Sequence, residues 1–188
     1  MEAGSMLILA LDVASKLGWA IHDTDKTPSA ILSGSIKLEG SNAFEKTQDM
    51  RRKLPKLIRQ HQPAFAAMEA PLTFIPQFKK KTRTLMAVEE ETSTINANTI
   101  MQLNWLAGAA EMVVLGQNVP CTLVSPRTWQ SIIPYHIRGA PKQRAKAYCD
   151  MLRIDSPNAD SRDAAVIALW CAGHCQELKL LQRVRAAA

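Results

Sequence analysis

Met6-Leu7-Ile8-Leu9-Ala10-Leu11-Asp12 is a short, uninterrupted aliphatic run that ends on a carboxylate. Its length suits a strand, and the lack of alternating polar residues suits a strand buried on both faces of a sheet. Packing gives no reason for a charge at its end. Ser15, Lys16 and Gly18 supply a turn, Leu17 to His22 predicts a second strand returning antiparallel as a hairpin, and Ala30 to Leu38 predicts a third that completes a meander. Asp23 to Ser29, with Pro28, reads as the polar loop between the last two, and Gly40-Ser41-Asn42 breaks the run.

The pattern then changes period. Ala43 to Gln62 sets Phe44, Met50, Leu54, Leu57 and Ile58 near helical spacing, with Arg51, Arg52, Lys53, Lys56 and Arg59 between them, which predicts a helix bent at Pro55 with a basic wet face. Pro63 stops it, and Ala64 to Glu69 repeats the opening motif: an apolar strand ending on a carboxylate, closed by Ala70-Pro71. Thr73 to Glu91 has no clear period and reads as a mobile charged segment, with Lys79, Lys80, Lys81 and Arg83 before an acidic run. Further on, helices are expected over Ile95 to Leu115, Thr128 to Ile133 after a Ser125-Pro126 start, and Pro141 to Leu152. Cys121 to Val124 reads as a strand, and Ala164, Ile167, Cys171, Leu178 and Leu181 mark one long final helix. A meander followed by helix-linked strands predicts an α/β fold, a mixed sheet flanked by helices.

Composition narrows the class. The 188 residues fit one domain, expected over residues 6–185, with the first five as a disordered or appended start. At 47% hydrophobic and 21% charged the chain can bury a core. No stretch approaches the roughly 18–20 apolar residues of a membrane span, and the start lacks the basic and apolar regions of a secretory signal, so a cytoplasmic location is expected. Cys121, Cys149, Cys171 and Cys175 are too sparse for a disulfide scaffold and read as reduced thiols. Cys171, His174 and Cys175 lack a fourth zinc ligand at plausible spacing. Trp19, Trp105, Trp129 and Trp170 read as core or dimer anchors. The net charge of +6 favours a polyanionic partner.

Asp12 and Glu69 end two apolar strands, and Asp160 and Asp163 open a helix three residues apart, on one face and about 5–6 Å from each other. Local readings exist for each: an Asx-turn for Asp12, an exposed strand end for Glu69, helix capping for the pair. Sites in α/β sheets gather at strand carboxyl ends. Clustered carboxylates repel, a bound cation resolves the repulsion, and oxygen ligands without a Cys or His cluster favour Mg²⁺ or Mn²⁺ over Zn²⁺.

Leu9-Ala10-Leu11-Asp12 with Gly18-Trp19-Ala20, then Ala67-Met68-Glu69-Ala70-Pro71, then Asp160-Ser161-Arg162-Asp163-Ala164-Ala165-Val166-Ile167-Ala168-Leu169, resembles the RuvC family of Holliday junction resolvases over nearly the whole chain and in the same order. The resemblance implies a ribonuclease H-like mixed five-stranded sheet and a homodimer. It also implies two Mg²⁺ ions per site, with Mn²⁺ as substitute, that activate water for phosphodiester hydrolysis. Asp12, Glu69, Asp160 and Asp163 would be the metal-binding and catalytic carboxylates. Val13-Ala14 stands where RuvC proteins usually carry Pro-Gly, so the first turn departs from the family's. The family's basic residue before the last helices matches Lys142, in Ala140-Pro141-Lys142-Gln143, with Arg127, Arg144 and Lys146 as rivals and DNA-contact candidates. RuvC-like enzymes reach into the branch point just after the second acid, where this chain has Lys79, Lys80, Lys81 and Arg83 with Phe74 and Phe78, either of which could stack on an unpaired base.

The implied activity is junction-selective endonucleolytic cleavage of branched DNA in a bacterial or phage-infected cell. The small size, missing Pro-Gly and basic loop are similar to bacteriophage RuvC-like proteins. Ribonuclease H proper places its second acid on the helix after the meander, where this chain has Glu45 and Asp49 but basic residues beyond, and so fits less well. A junction-binding protein without turnover is the rival outside enzymes. A nucleotide-cofactor ATPase of the same superfamily would need a glycine-rich phosphate loop after Asp12, which the chain lacks.

Overall fold

The computed structural model describes residues 5–71, 80–81, 91–92 and 97–187, with backbone alone at 80–81 and 91–92. In chain order the elements are β1 (Leu7–Asp12), β2 (Lys16–Asp23), β3 (Leu32–Lys37), α1 (Ala43–His61), β4 (Phe65–Glu69), β5 (Lys80–Lys81), β6 (Glu91–Thr92), α2 (Ala97–Gly116), β7 (Cys121–Val124), α3 (Pro126–Gln130), α4 (Pro141–Met151), α5 (Ala159–His174) and α6 (Gln176–Ala187). β5 and β6 form a separate two-residue ladder.

The main sheet has the order β3-β2-β1-β4-β7. β1 pairs antiparallel with β2, and β2 with β3, whereas β4 runs parallel to both β1 and β7. This is the meander and helix-linked arrangement expected from the sequence, with β1 at the centre.

Strand alternation sorts β1 and β4 into two cores. Ile8, Ala10, Phe65 and Ala67 face the side covered by α3, α4, α5 and α6. Leu9, Leu11, Ala66 and Met68 face the side covered by α1 and α2. Both strands are therefore apolar on both faces. Side chains alternate with period two, so Asp12 and Glu69 fall on the face of Ala10 and Ala67, the α5 face. The last parallel pair of the ladder is Leu11 with Met68, and one step further brings Asp12 beside Glu69.

α5 is the central helix of that face. Ala164, Ala165, Val166, Ile167, Ala168 and Cys171 are completely buried, which accounts for its apolar character all round. Asn158, not Asp160, is its N-cap, accepting from the Ser161 N–H at 3.1 Å while the Ser161 hydroxyl answers the Asn158 backbone. The capping explanation for the acid pair is thus taken by a neighbour.

Several boundaries differ from the sequence expectation. The single long final helix is two helices, broken at Cys175, whose backbone is extended at φ −68° and ψ 120°. Gly173 weakens the last turn of α5, and the break lets α6 fold back so that Leu178 is fully buried in the α5-side core. β3 begins at Leu32 instead of Ala30, since Pro28–Ala30 form one turn of 3-10 helix. The helix expected to start at Ser125-Pro126 and take in Thr128 to Ile133 does start there, the Ser125 hydroxyl accepting from the Thr128 N–H at 3.2 Å, but it ends at Gln130. α1 ends at His61 on a left-handed Gln62 and runs through Pro55.

Candidate active site

Four carboxylates meet where β1, β4 and the first turns of α5 converge. Gly18, paired with Asp12 across the hairpin, makes this possible: a Cβ built on it would lie 2.2 Å from the Asp160 carbonyl oxygen. No residue with a side chain lets the start of α5 approach β2 so closely. Lys16, at the start of β2, then reaches the Asp160 carboxylate at 3.9 Å.

The acids feel one another. Asp12 is pushed up to about 8, first by burial, then by the charges of Glu69, Asp163 and Asp160, with Lys142 pulling the other way. Glu69 rises to about 7, chiefly by burial and also by Asp163, opposed by a hydrogen bond from Trp129 and by Lys142. Asp163 rises to about 6 through burial and the Asp160 charge, with Lys142 and Arg162 opposing. A desolvated set of like charges is what a hard cation relieves. The donor chemistry, all carboxylate oxygen, fits Mg²⁺ or Mn²⁺. Among the described residues no three His, Cys, Asp or Glu side chains converge closely enough to enclose an ion as they stand. They are close enough to couple electrostatically and would have to close further to coordinate.

Lys142 is exposed at the second position of α4 and lowers the three raised acids. Two of its rivals are otherwise engaged. Arg144 donates through Nε to the Ile137 carbonyl at 3.1 Å and through Nη2 to the Ile133 carbonyl at 3.3 Å, pinning the loop before α4. Lys146 pairs with Asp150 at 2.6 Å one turn along. Arg127, exposed on α3, carries no ion pair among the described residues. Phe74, Phe78, Lys79 and Arg83 lie outside the described residues, and Lys80 and Lys81 are described only as backbone in β5.

Trp129 is the site residue that sequence reasoning missed. It is 2% exposed, in the core as expected of a Trp, but its indole Nε1–H donates to Glu69 Oε2 at 2.9 Å. A buried Trp needs a partner for its N–H, and that need was the available signal. The other expected anchors divide. Trp19 stacks obliquely on His61 at 5.8 Å. Trp170 packs against the α5-side core, and Trp105 is 56% exposed. Cys171 and Cys175 are buried thiols, and His174 is exposed.

Asp49 is the acid on α1 that the comparison with ribonuclease H proper singles out. It is 3% exposed on α1 and is fully engaged by the Glu39 N–H at 2.9 Å, Arg52 at 2.9 Å and Lys53 at 2.6 Å. Glu45 is likewise tied to Ser41, at 2.7 Å to its N–H. The acids of α1 brace the connection from β3 and take no part in the cluster.

A central three-stranded meander, two further parallel strands and helices on both faces, with the acids on the α5 face, define a ribonuclease H-like α/β fold. No family profile matches the chain, and no curated protein sequence does. Solved structures do. RuvC of T. thermophilus in complex with a Holliday junction substrate superposes with a TM-score of 0.62 at 15% identity, covering 87% of this chain and 90% of that one. A second T. thermophilus RuvC structure gives 0.60 at 17% identity, over 87% and 92%. The yeast mitochondrial Holliday junction resolvase Ydc2 gives 0.57 at 15%, over 94% and 82%. The chain has the RuvC-type ribonuclease H-like fold.

Proposed function

We propose that this chain is a divalent-metal-dependent endonuclease that resolves four-way DNA junctions by paired phosphodiester hydrolysis from a homodimer. The observation that carries the reading is the half-buried set of Asp12, Glu69, Asp160 and Asp163 on the α5 face of a RuvC-type sheet, whose charges act on one another. The junction bound to the T. thermophilus relative supports branched DNA as the substrate class. Mg²⁺ or Mn²⁺ held by the four acids would supply the Lewis acidity that polarises a phosphate and acidifies water.

The chain's own residues prepare the site. Burial makes Asp12 and Glu69 costly to ionise alone, so a dication and the ionised carboxylates stabilise one another. Trp129 fixes one oxygen of Glu69 and leaves the other free. Lys142 sets an exposed positive charge beside the acids, where an incoming phosphate needs it. Arg127, Lys146 and the 74–83 segment are DNA-contact candidates on the same reading, and Arg144 orders the loop between α3 and α4.

α2 supports the dimer. Met101 is 67% exposed, Trp105 56%, Met112 70% and Leu115 45%, spaced one to two turns apart along one face, an apolar stripe unusual for a monomer surface. Leu123 on the edge strand β7 is 44% exposed.

The test is cleavage of a labelled immobile four-way junction in Mg²⁺, with Asp12→Asn and Asp160→Asn proteins and linear duplex as controls. Symmetric nicks that vanish in both variants and in EDTA are expected. Junction binding without nicks in Mg²⁺ or Mn²⁺ would leave a binding protein, and no preference for the junction would refute the assignment.

A further inference from the structure

We propose a nucleotide subsite in the recess formed by α3 and residues 131–140: it takes one flanking nucleotide of the bound strand, the phosphate on Arg127 and Arg144 and the base on Tyr135. The proposal rests on the DNA-cleaving reading above and names a contact that reading does not supply.

The recess has a volume of about 560 Å³ and is lined by Arg127, Gln130, Ser131, Ile133, Pro134, Tyr135 and Arg144. That is within the size of ligand recesses, about 300–1,000 Å³. Its wall carries two guanidinium groups and no carboxylate. Arg144 spends Nε and one Nη2 hydrogen on the carbonyls of Ile137 and Ile133, so its orientation is fixed while other N–H groups remain for an anion. Arg127 has no salt bridge among the described residues. No acidic residue occurs between Glu111 and Asp150, so the segment that builds the recess brings positive charge and no negative charge of its own.

Tyr135 supplies the second half of the site. It is 85% exposed, the most exposed large side chain among the described hydrophobic and aromatic residues. It does not sit on a loose loop. Ile133 is 3% exposed beneath it, the Ile137 N–H donates to the Pro134 carbonyl at 3.0 Å, Arg144 braces both ends, and the His136 ring meets its edge at 5.9 Å and 83°. A preorganised, exposed aromatic beside fixed cations suits a base stacked above a bound phosphate, whatever the base. α3 joins the recess to the acids, carrying Trp129 on its buried side, hydrogen-bonded to Glu69, and Arg127 on its exposed side.

The test measures binding of a fluorescein-labelled four-way junction by anisotropy, over a series of salt concentrations and in Ca²⁺, for wild type, Tyr135→Ala, Tyr135→Phe and Arg127→Ala. Both positions changed are exposed, and equal melting temperatures check the fold. Tyr135→Ala should weaken binding roughly ten-fold with the salt slope unchanged, Tyr135→Phe should stay within two-fold, and Arg127→Ala should lower the slope by about one. A junction bearing 5-iododeoxyuridine should photocrosslink to Tyr135. The subsite is overturned if Tyr135→Ala and Arg127→Ala bind as wild type with the same slope, or if Tyr135→Phe falls as far as Tyr135→Ala. If wild type binds no junction at all, the DNA-cleaving reading and the subsite fall together, whereas intact wild-type binding with silent variants removes the subsite alone.

Discussion

Replacing Asp12 by Asn should stabilise the protein in the absence of divalent cations, by an amount that grows with pH. Asp12 is held near 8 in the fold against 3.8 for a free carboxyl. Between those values the unfolded chain has released this proton and the folded chain retains it, so stability falls as pH rises through the window and is lowest above about 8. Each pH unit is worth about 1.4 kcal/mol for a single site, or up to about 4 kcal/mol from pH 5 to pH 8. Asp12, Glu69 and Asp163 titrate as a coupled set, so their protons leave together and about half of that is the expected growth. Asn has the shape of the protonated acid and removes this term. His22 works against it in wild type: burial holds its imidazole below 6.5, so its contribution rises with pH over the lower part of the window. The difference between variant and wild type cancels His22. Urea unfolding in EDTA at pH 5, 6, 7 and 8 measures it directly. An advantage of Asp12→Asn that stays constant within about 0.5 kcal/mol over this range would refute the picture of a buried, repelling cluster. Excess Mg²⁺ at pH 8 should stabilise wild type selectively, because a cation that binds only the fold adds its binding energy to stability.

Asp160→Asn should abolish nicking while leaving junction affinity within a few-fold, read by gel assay and anisotropy on one preparation. Gly18→Ala should destabilise the fold by about 1–3 kcal/mol and cut activity, since backbone at the start of α5 occupies the space a Cβ would need; denaturant midpoints at matched slope would show it. Trp129→Phe keeps an aromatic in the core but removes the donor that lowers Glu69, so the acid limb of the cleavage pH profile should move upward, alongside a stability loss of about 1–3 kcal/mol. Trp105→Glu, exposed on α2, should leave the melting behaviour of the protomer little changed and convert a dimer to monomer in light scattering.

The sheet was legible because its central strands are apolar on both faces. Leu7 to Leu11 and Phe65 to Met68 have no alternation to misread, and a strand buried on both sides has few places in a fold other than the middle. The break at Cys175 was not legible. Apolar residues continue at helical spacing on both sides of it, and only the way Leu178 turns back into the core distinguishes two helices from one. The acids stood out by being charged at the ends of such strands. Trp129 did not, because its contact with Glu69 joins residues sixty positions apart and depends on α3 starting at Pro126.

The division of acids between the two faces of the sheet is the physical reason for favouring a resolvase arrangement over that of ribonuclease H. Asp49 lies on α1, packed on the Leu9 and Leu11 side, and its three donors hold it ionised below the usual carboxylate range. Asp12, Glu69 and Asp163 lie on the opposite side, and burial with mutual repulsion lifts all three. A satisfied carboxylate gains little from a cation, and a frustrated one gains much. An acid on α1 could join the cluster only by abandoning the Glu39 N–H and both cations and crossing a sheet whose side chains are close-packed. Asp49→Asn should therefore cost about 1–3 kcal/mol of stability, lost at any pH above the acid range, and leave the Mg²⁺ dependence of cleavage unchanged. A shift in that dependence would place a metal ligand on α1 and return the site to the ribonuclease H arrangement.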